Sequence, residues 1–173
     1  ESQISFLSPS DALIVHMARR FLAEVSRIYE TRSGKPFEEA LLIKSPRDAY
    51  EFFRLEMENL EQEQLRTIQL NTKSRILSAS MIYQGALDNV TVRIAEVFRP
   101  AILHNAAFII VAHNHPSGDS SPSPEDISLT TELVRAGHLL GIEVVDHLVI
   151  GRGNFVSLKE RGLGFDRPSR SRT

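Results

Sequence analysis

A chain of 173 residues, 42% of them hydrophobic, can bury one core and is most simply organised as one domain. It has no cysteine, which excludes disulfides, a thiol nucleophile and cysteine-ligated metal sites. Its net charge of −2 argues against a dedicated DNA-binding protein, which usually carries a basic face. The sequence shows neither an apolar run long enough to span a bilayer nor a secretory signal, so we expect a cytoplasmic location without membrane contact.

The first part of the chain is predicted to be a helical arm. An amphipathic helix is expected over Ser10–Glu30, where Ile14, Met17 and Phe21 share one apolar stripe with helical spacing. We expect this stripe to belong to a core or to a subunit contact. The run Thr31–Pro36 then breaks the helix and marks an internal boundary.

Helices and strands alternate through the rest of the chain, which predicts an α/β protein of the α+β type, with a mixed β-sheet flanked by helices. A helix over Pro46–Leu60 is capped by Ser45. Strands over Leu65–Leu70 and Arg75–Gln84 form a hairpin. The later predictions are a helix over Arg93–His104 that Pro100 kinks or restarts, a strand from Ala106 that runs into His113, a helix over Pro124–Leu140 ended by Gly141, and strands over Ile142–Ile150 and Phe155–Leu158.

The most informative segment is the one in which a buried strand ends in His113–Asn114–His115. Residues two apart on a strand project to the same side, so the imidazoles of His113 and His115 should point together. After a turn, Ser123 caps a helix that carries Asp126 in its first turn. Two neutral imidazoles and a carboxylate suit zinc, and a catalytic zinc site keeps its fourth position for water. The segment predicts a metal-dependent hydrolase; the alternative is an ordinary capping box beside two loop histidines.

This pattern resembles the signature of the JAMM (MPN+) metalloprotease domain: His-x-His, seven residues, serine, two residues, aspartate. His113, His115, Ser123 and Asp126 fill it without a gap. Three segments resemble the bacterial RadC-like branch: His-Asn-His-Pro-Ser-Gly-Asp, the later Asp-His, and Ser-Leu-Lys-Glu-Arg-Gly. The resemblance implies a JAB/MPN-like (cytidine-deaminase-like) three-layer core over residues 45–163. An N-terminal helical arm and linker at 1–44 would precede this core, and a flexible basic tail at 164–173 would follow it.

The resemblance further implies a zinc metallopeptidase that acts on a peptide or protein-conjugate substrate. His113, His115 and Asp126 would bind Zn²⁺, which lowers the pKa of water from about 15.7 toward about 7. Ser123 is expected to donate its hydroxyl to the oxyanion of the tetrahedral intermediate. His147, on a neighbouring apolar strand, is expected to be a structural histidine or a neighbour of the ligands. A fourth protein ligand would exclude the reactive water.

An upstream glutamate acts as general base in this family, and by resemblance it falls on Glu63, with Glu61 as the alternative. Such a base takes a proton from the attacking water and returns it to the leaving amine. Spacing within the sequence cannot select it, because Glu56, Glu58 and Glu96 are also candidates. The plain interpretation of the glutamate-rich stretch is a solvated acidic helix end.

A second hypothesis comes from a different class of protein. RadC-like proteins carry a historic DNA-repair label, and the tail of this chain contains Arg167, Arg170 and Arg172. The chain could then be a nucleic-acid-associated or scaffolding protein with a structural or vestigial metal site. The intact ligand set favours catalysis, since scaffolding members of the wider fold generally lack the ligands. Tight, salt-dependent DNA binding without metal-dependent cleavage would favour the second hypothesis.

Overall fold

The computed structural model of the protein describes residues 8–33, 41–85 and 92–165, and the chain divides into two units, 1–41 and 42–173. The described part of the first unit is helix α1 (Pro9–Ser33), which confirms the predicted helix and extends it at both ends. On α1 the stripe residues Ile14, Met17 and Phe21 are 64%, 62% and 69% exposed. Among the described residues they are not part of a core, and the alternative, a subunit contact, stays a prediction. The end of the predicted tail, 166–173, lies outside the described residues.

The second unit contains the other predicted elements, each with its ends shifted by no more than three residues. The helix does not restart at Pro100, while the alternative of a kink stays a prediction. One helix runs through this residue, because Val97, Phe98 and Ala101 on either side of it are buried and their packing outweighs one lost hydrogen bond. The elements are α2 (Pro46–Met57), β1 (Gln64–Leu70), β2 (Ile76–Gln84), α3 (Ile94–Leu103), β3 (Phe108–Asn114), α4 (Pro124–Leu140), β4 (Glu143–Ile150) and β5 (Phe155–Ser157). None of the helices in the described ranges is long and apolar enough to cross a membrane.

The five strands form one sheet in the order β2-β1-β3-β4-β5. β3 and β4 are parallel and the other neighbours are antiparallel, so the predicted mixed sheet is confirmed. Successive residues of each strand face opposite sides of the sheet. On one side Ile68 and Ile110 pack with α2, and on the other side Leu65 and Val111 pack with α3 and α4. The sheet is thus the middle of three layers, as the resemblance implied.

Local signals fix where α2 begins and where α4 begins and ends. Ser45 caps α2 by accepting the N–H of Asp48 at 3.2 Å. Ser123 caps α4, and Gly141 ends it with a left-handed φ of 69°. Because α4 connects the parallel strands β3 and β4, its first turn lies at the edge where both strands end. This edge carries the histidines.

Candidate metal centre

The end of β3 brings two imidazoles together. His113 and His115 are two residues apart, so their side chains leave the strand on the same side. Their Nε2 atoms are 3.1 Å apart. His113 is fully buried, whereas His115 is partly exposed. The expectation that the two rings point together is confirmed.

The loop after His115 turns the chain back toward these rings. The N–H of Gly118, a residue with a left-handed φ of 86°, donates to the carbonyl of His115 at 2.9 Å. The carbonyl of Gly118 accepts the N–H of Arg152, between β4 and β5, at 2.9 Å. A Cβ at Gly151 would lie 2.6 Å from that same carbonyl oxygen, so the two segments pack with backbone against backbone. The loop therefore delivers the start of α4 beside the histidines.

Asp126, in the first turn of α4, presents its carboxylate to both rings. Its Oδ1 is 3.0 Å from Nε2 of His113, and its Oδ2 is 3.5 Å from Nε2 of His115. Oδ2 also accepts the N–H of Ser123 at 2.7 Å, while the N–H of Asp126 donates to Ser123 Oγ at 3.1 Å. The predicted capping box is present, and the carboxylate that completes it also faces the imidazoles. The capping box does not use the hydroxyl hydrogen of Ser123.

Glu63 places a second carboxylate at the same point. One ligand atom from each of Glu63, His113 and His115 lies within 4.8 Å of the other two. Glu61 is exposed and does not belong to this group of described residues. The other candidate glutamates have partners elsewhere: Glu56 pairs with Arg66, Glu58 accepts the N–H of Gly153, and Glu96 pairs with Arg93. Of the glutamates that the sequence left open, Glu63 is thus the one that lies beside both histidines.

One hydrogen bond of the His115 ring shows which of its nitrogens carries the proton. Its Nδ1 lies 2.8 Å from the backbone carbonyl oxygen of Asp119. A carbonyl oxygen can only accept, so Nδ1 is the protonated nitrogen and donates this bond. In the neutral ring, Nε2 of His115 therefore carries a lone pair directed at His113 and Asp126.

A longer chain of hydrogen bonds defines the proton position in His113. The hydroxyl of Thr130 donates to the backbone carbonyl of Asp126 at 2.6 Å, which uses its only hydrogen. Thr130 Oγ1 must then accept from Nδ1 of His147, 2.6 Å away. The Nε2 of His147 is left as an acceptor, so Nδ1 of His113 donates to it at 2.9 Å. As a result, Nε2 of His113 also carries a lone pair, and His147 is a neighbour of the predicted ligands, as expected.

Three lone-pair donors consequently face one another: Nε2 of His113, Nε2 of His115 and the carboxylate of Asp126. Groups that can only accept hydrogen bonds repel one another at distances of 3.0 to 3.5 Å unless a cation lies between them. A shared proton or a metal ion satisfies this requirement. The arrangement is the one expected when histidine ligands are oriented by hydrogen bonds from their other ring nitrogen.

The charge of the site also favours a cation. Burial raises the pKa of the Asp126 carboxyl, but in the metal-free site a proton shared with Nε2 of His113 and His115 outweighs burial and holds that pKa far below its usual range. The same carboxylate raises the pKa of His115. Burial lowers the pKa of His147 to about 3. His147 is therefore neutral near pH 7, which its role as acceptor for His113 requires.

Sequence reasoning missed two contributors to this site. Thr130 lies one helical turn after Asp126, a spacing that places both residues on the same face of α4. That periodicity could have pointed to it. The backbone carbonyl of Asp119 has no sequence signal, because any residue supplies a carbonyl and only the loop conformation aims it at His115.

The sequence has clear relatives. Residues 43–163 match the RadC-like JAB domain. A UPF0758 protein of Chloroflexus aggregans is 54% identical over 129 residues, which are 75% of this chain and 56% of that protein. UPF0758 proteins of Roseiflexus castenholzii and Clostridium beijerinckii are 55% identical over 145 residues and 41% identical over 146, in each case 84% of this chain. The chain spans 56%, 61% and 64% of the lengths of these three relatives.

Proposed function

The chain belongs to the family of RadC-like JAB domains, and on that premise we propose that it is a metal-dependent hydrolase of peptide or isopeptide bonds. The observation that carries this proposal is the convergence of three proton-free ligand atoms, from His113, His115 and Asp126, with the carboxylate of Glu63 alongside. As a fourth ligand, Glu63 would close the site as in a structural zinc centre; as a carboxylate beside three ligands, it leaves the fourth position to water. A hydrolase needs such a carboxylate as a base.

The residues present fit Zn²⁺. Two neutral imidazoles and one carboxylate match the three protein ligands of catalytic zinc sites. The hydrogen bonds from Nδ1 of both rings leave Nε2 of His113 and of His115 as the binding atoms. A zinc ion held here would supply Lewis acidity, polarising the scissile carbonyl and making water acidic enough to ionise near neutral pH.

The protein's own groups supply the proton transfers and the positioning. Glu63 takes the proton of the attacking water and returns it to the leaving amine. Ser123 accepts a backbone N–H in the capping box, so its hydroxyl hydrogen can be donated to the oxyanion that forms on the substrate. His147 and Thr130 keep His113 in the tautomer that the site requires.

The test of this proposal is metal-dependent hydrolysis. The protein, purified without added chelator, is expected to contain about one zinc per chain and to cleave members of a peptide and lysine-conjugate panel. A chelator should abolish the cleavage and added Zn²⁺ should restore it. Absence of stoichiometric metal binding would overturn the proposal. Strongly salt-dependent DNA binding without any metal-dependent cleavage would also overturn it, in favour of the nucleic-acid-associated alternative.

The orientation of His113 by His147 gives a second prediction. His147→Leu is expected to lower the affinity for Zn²⁺ by about 10- to 100-fold, because nothing then holds Nδ1–H of His113. His147→Gln should lose much less, since its amide offers one acceptor for His113 and one donor for Thr130. Competition with a chromophoric chelator measures both affinities, and urea unfolding of the metal-free variants controls for stability. Equal zinc affinity in the leucine variant and the parent protein would contradict this role.

A further inference from the structure

Asn114, between the two histidines, contacts the segment that carries Glu63. Adjacent strand residues face opposite sides, so Asn114 points away from the imidazoles, and it is only 1% exposed. Its Oδ1 accepts the N–H of Gln64 at 2.9 Å, and its Nδ2 donates to the carbonyl of Gln62 at 3.2 Å. The side chain of one residue thus binds the backbone on both sides of Glu63.

The sheet explains why a side chain is needed at this point. The pairing of β1 with β3 reaches Leu65 opposite His113 and goes no further. Beyond that pair, the N–H of His115 donates to the carbonyl of Ile150 in β4 at 3.0 Å. Asn114 has the hydrogen-bonding groups of a peptide unit in its carboxamide, one acceptor and a donor. The Asn114 side chain therefore makes the hydrogen bonds that the backbone of β3 no longer makes beyond this pair, and it connects β3 to Gln62 and Gln64.

On the other side, the same segment is attached to β2. The N–H of Gly85 donates to the carbonyl of Glu63 at 2.9 Å. Glu63 itself is thus bound through its backbone to the end of β2, while its two neighbours are bound by Asn114. The backbone around Glu63 is therefore bound both to β3, through Asn114, and to the end of β2. Its position relative to the histidines of β3 depends on these bonds.

We propose that Asn114 is the positioning residue of Glu63: its carboxamide fixes the distance between the general base and the His113–His115 pair. This inference rests on the proposed function for the role of Glu63, and on the hydrogen bonds of Asn114 for the coupling. Asp at this position would place a second acceptor against the carbonyl of Gln62 and add a negative charge next to Glu63. Alanine would remove both bonds.

The experiment is a double-mutant cycle in the zinc-loaded protein. Asn114→Ala is expected to lower kcat by about 10- to 100-fold with unchanged zinc content, since a misplacement of about 1 Å can cost that much. In a Glu63→Gln background the same change should cost less than about 3-fold, because a base that is absent cannot be misplaced. Losses that multiply in the double variant would show that Asn114 acts independently of Glu63 and would overturn the proposal.

A matched control is available at the other end of β1. The side chain of Asn71 also accepts two backbone N–H groups, from Lys73 and Arg75, at 2.9 and 3.0 Å. Asn71→Ala removes a comparable pair of bonds far along the strand and should leave kcat unchanged. An equal loss in both alanine variants would indicate general destabilisation of the sheet and would count against a positioning role for Asn114.

Hydrogen exchange supplies a readout that does not depend on hydrolysis. The amide of Gln64 is expected to exchange faster in Asn114→Ala than in the parent protein, and to stay protected in Asn114→Asp, which keeps the accepting oxygen. Unchanged exchange in the alanine variant would overturn the inference. If Gln64 exchanges faster in the alanine variant but the parent protein has no hydrolase activity, Asn114 does position the segment and the proposed function is contradicted. The aspartate variant also serves if the alanine variant does not fold.

Discussion

Glu63→Gln is expected to lower kcat by about 10²- to 10⁴-fold while the protein keeps its zinc. Glutamine has nearly the shape of glutamate but cannot take a proton, so the variant removes the base and little else. Glu63 has one ligand atom within 4.8 Å of ligand atoms of both His113 and His115. Steady-state kinetics on the best substrate of the panel, together with metal analysis, measures both quantities.

Glu61→Gln is the matched control, because Glu61 is an exposed neighbour outside the histidine group. Its kcat should stay within about 2-fold of the parent value, as expected for a surface change. If Glu61→Gln lost activity and Glu63→Gln kept it, the assignment of the base would be reversed. If Glu63→Gln lost its zinc, Glu63 would be a metal ligand and the proposed division of roles between the two carboxylates would be contradicted.

The parts of the site that sequence could predict are those formed within one local segment. His113 and His115 share a side because of strand periodicity, and Ser123 and Asp126 meet because a capping box joins the N-cap to the third helical residue. Connection of β3 to α4 by a short loop brings the two pairs together. Each of these steps depends on neighbouring residues only, so the grouping of these four side chains could be predicted from the sequence.

The other parts depend on contacts between distant segments. Glu63 lies fifty residues before His113 and comes near it only because β1 pairs with β3 in one register. Spacing could not choose it among the glutamates, and the resemblance did. The hydrogen bond from His113 to His147 needs the parallel pairing of β3 with β4, and the hold of Asn114 needs the end of the β1–β3 ladder. These contacts depend on the register of the paired strands, and no local sequence pattern determines that register.

The fold shows the same division between local and distant information. Helix ends were predicted well because Ser45, Ser123 and Gly141 act through their own turn. The helix does not restart at Pro100 because Val97, Phe98 and Ala101 are buried, and this burial comes from packing that a local rule does not include. The apolar stripe of α1 was likewise predicted from its spacing, but periodicity alone cannot say whether such a stripe is covered, and Ile14, Met17 and Phe21 are exposed.

Asp126→Asn is expected to have the largest effect on metal binding, a loss of more than about 100-fold in affinity for Zn²⁺. That exceeds the cost of losing a group that merely orients a ligand. The amide is neutral and keeps an oxygen that can accept the N–H of Ser123, so the start of α4 should survive. Asp119→Asn is the control, since Asp119 accepts a hydrogen bond from His115 through its backbone carbonyl, which the substitution keeps. Equal zinc affinity in the Asp126 variant and the parent protein would remove Asp126 from the ligand set.

In the metal-free protein, the effect of Asp126→Asn on the free energy of unfolding is expected to depend on pH. The pKa of Asp126 is held below its unfolded value, so the unfolded chain binds more protons on acidification, and the stability from this carboxylate is lost as pH falls. The difference in unfolding free energy between parent and Asp126→Asn should therefore be present at pH 7 and shrink below about pH 4, near the unfolded pKa of aspartate. Urea unfolding at several pH values measures it. A difference independent of pH would mean that the carboxylate is not paired with the histidines, and the charge that draws a metal to this edge of the sheet would have to come from Glu63 alone.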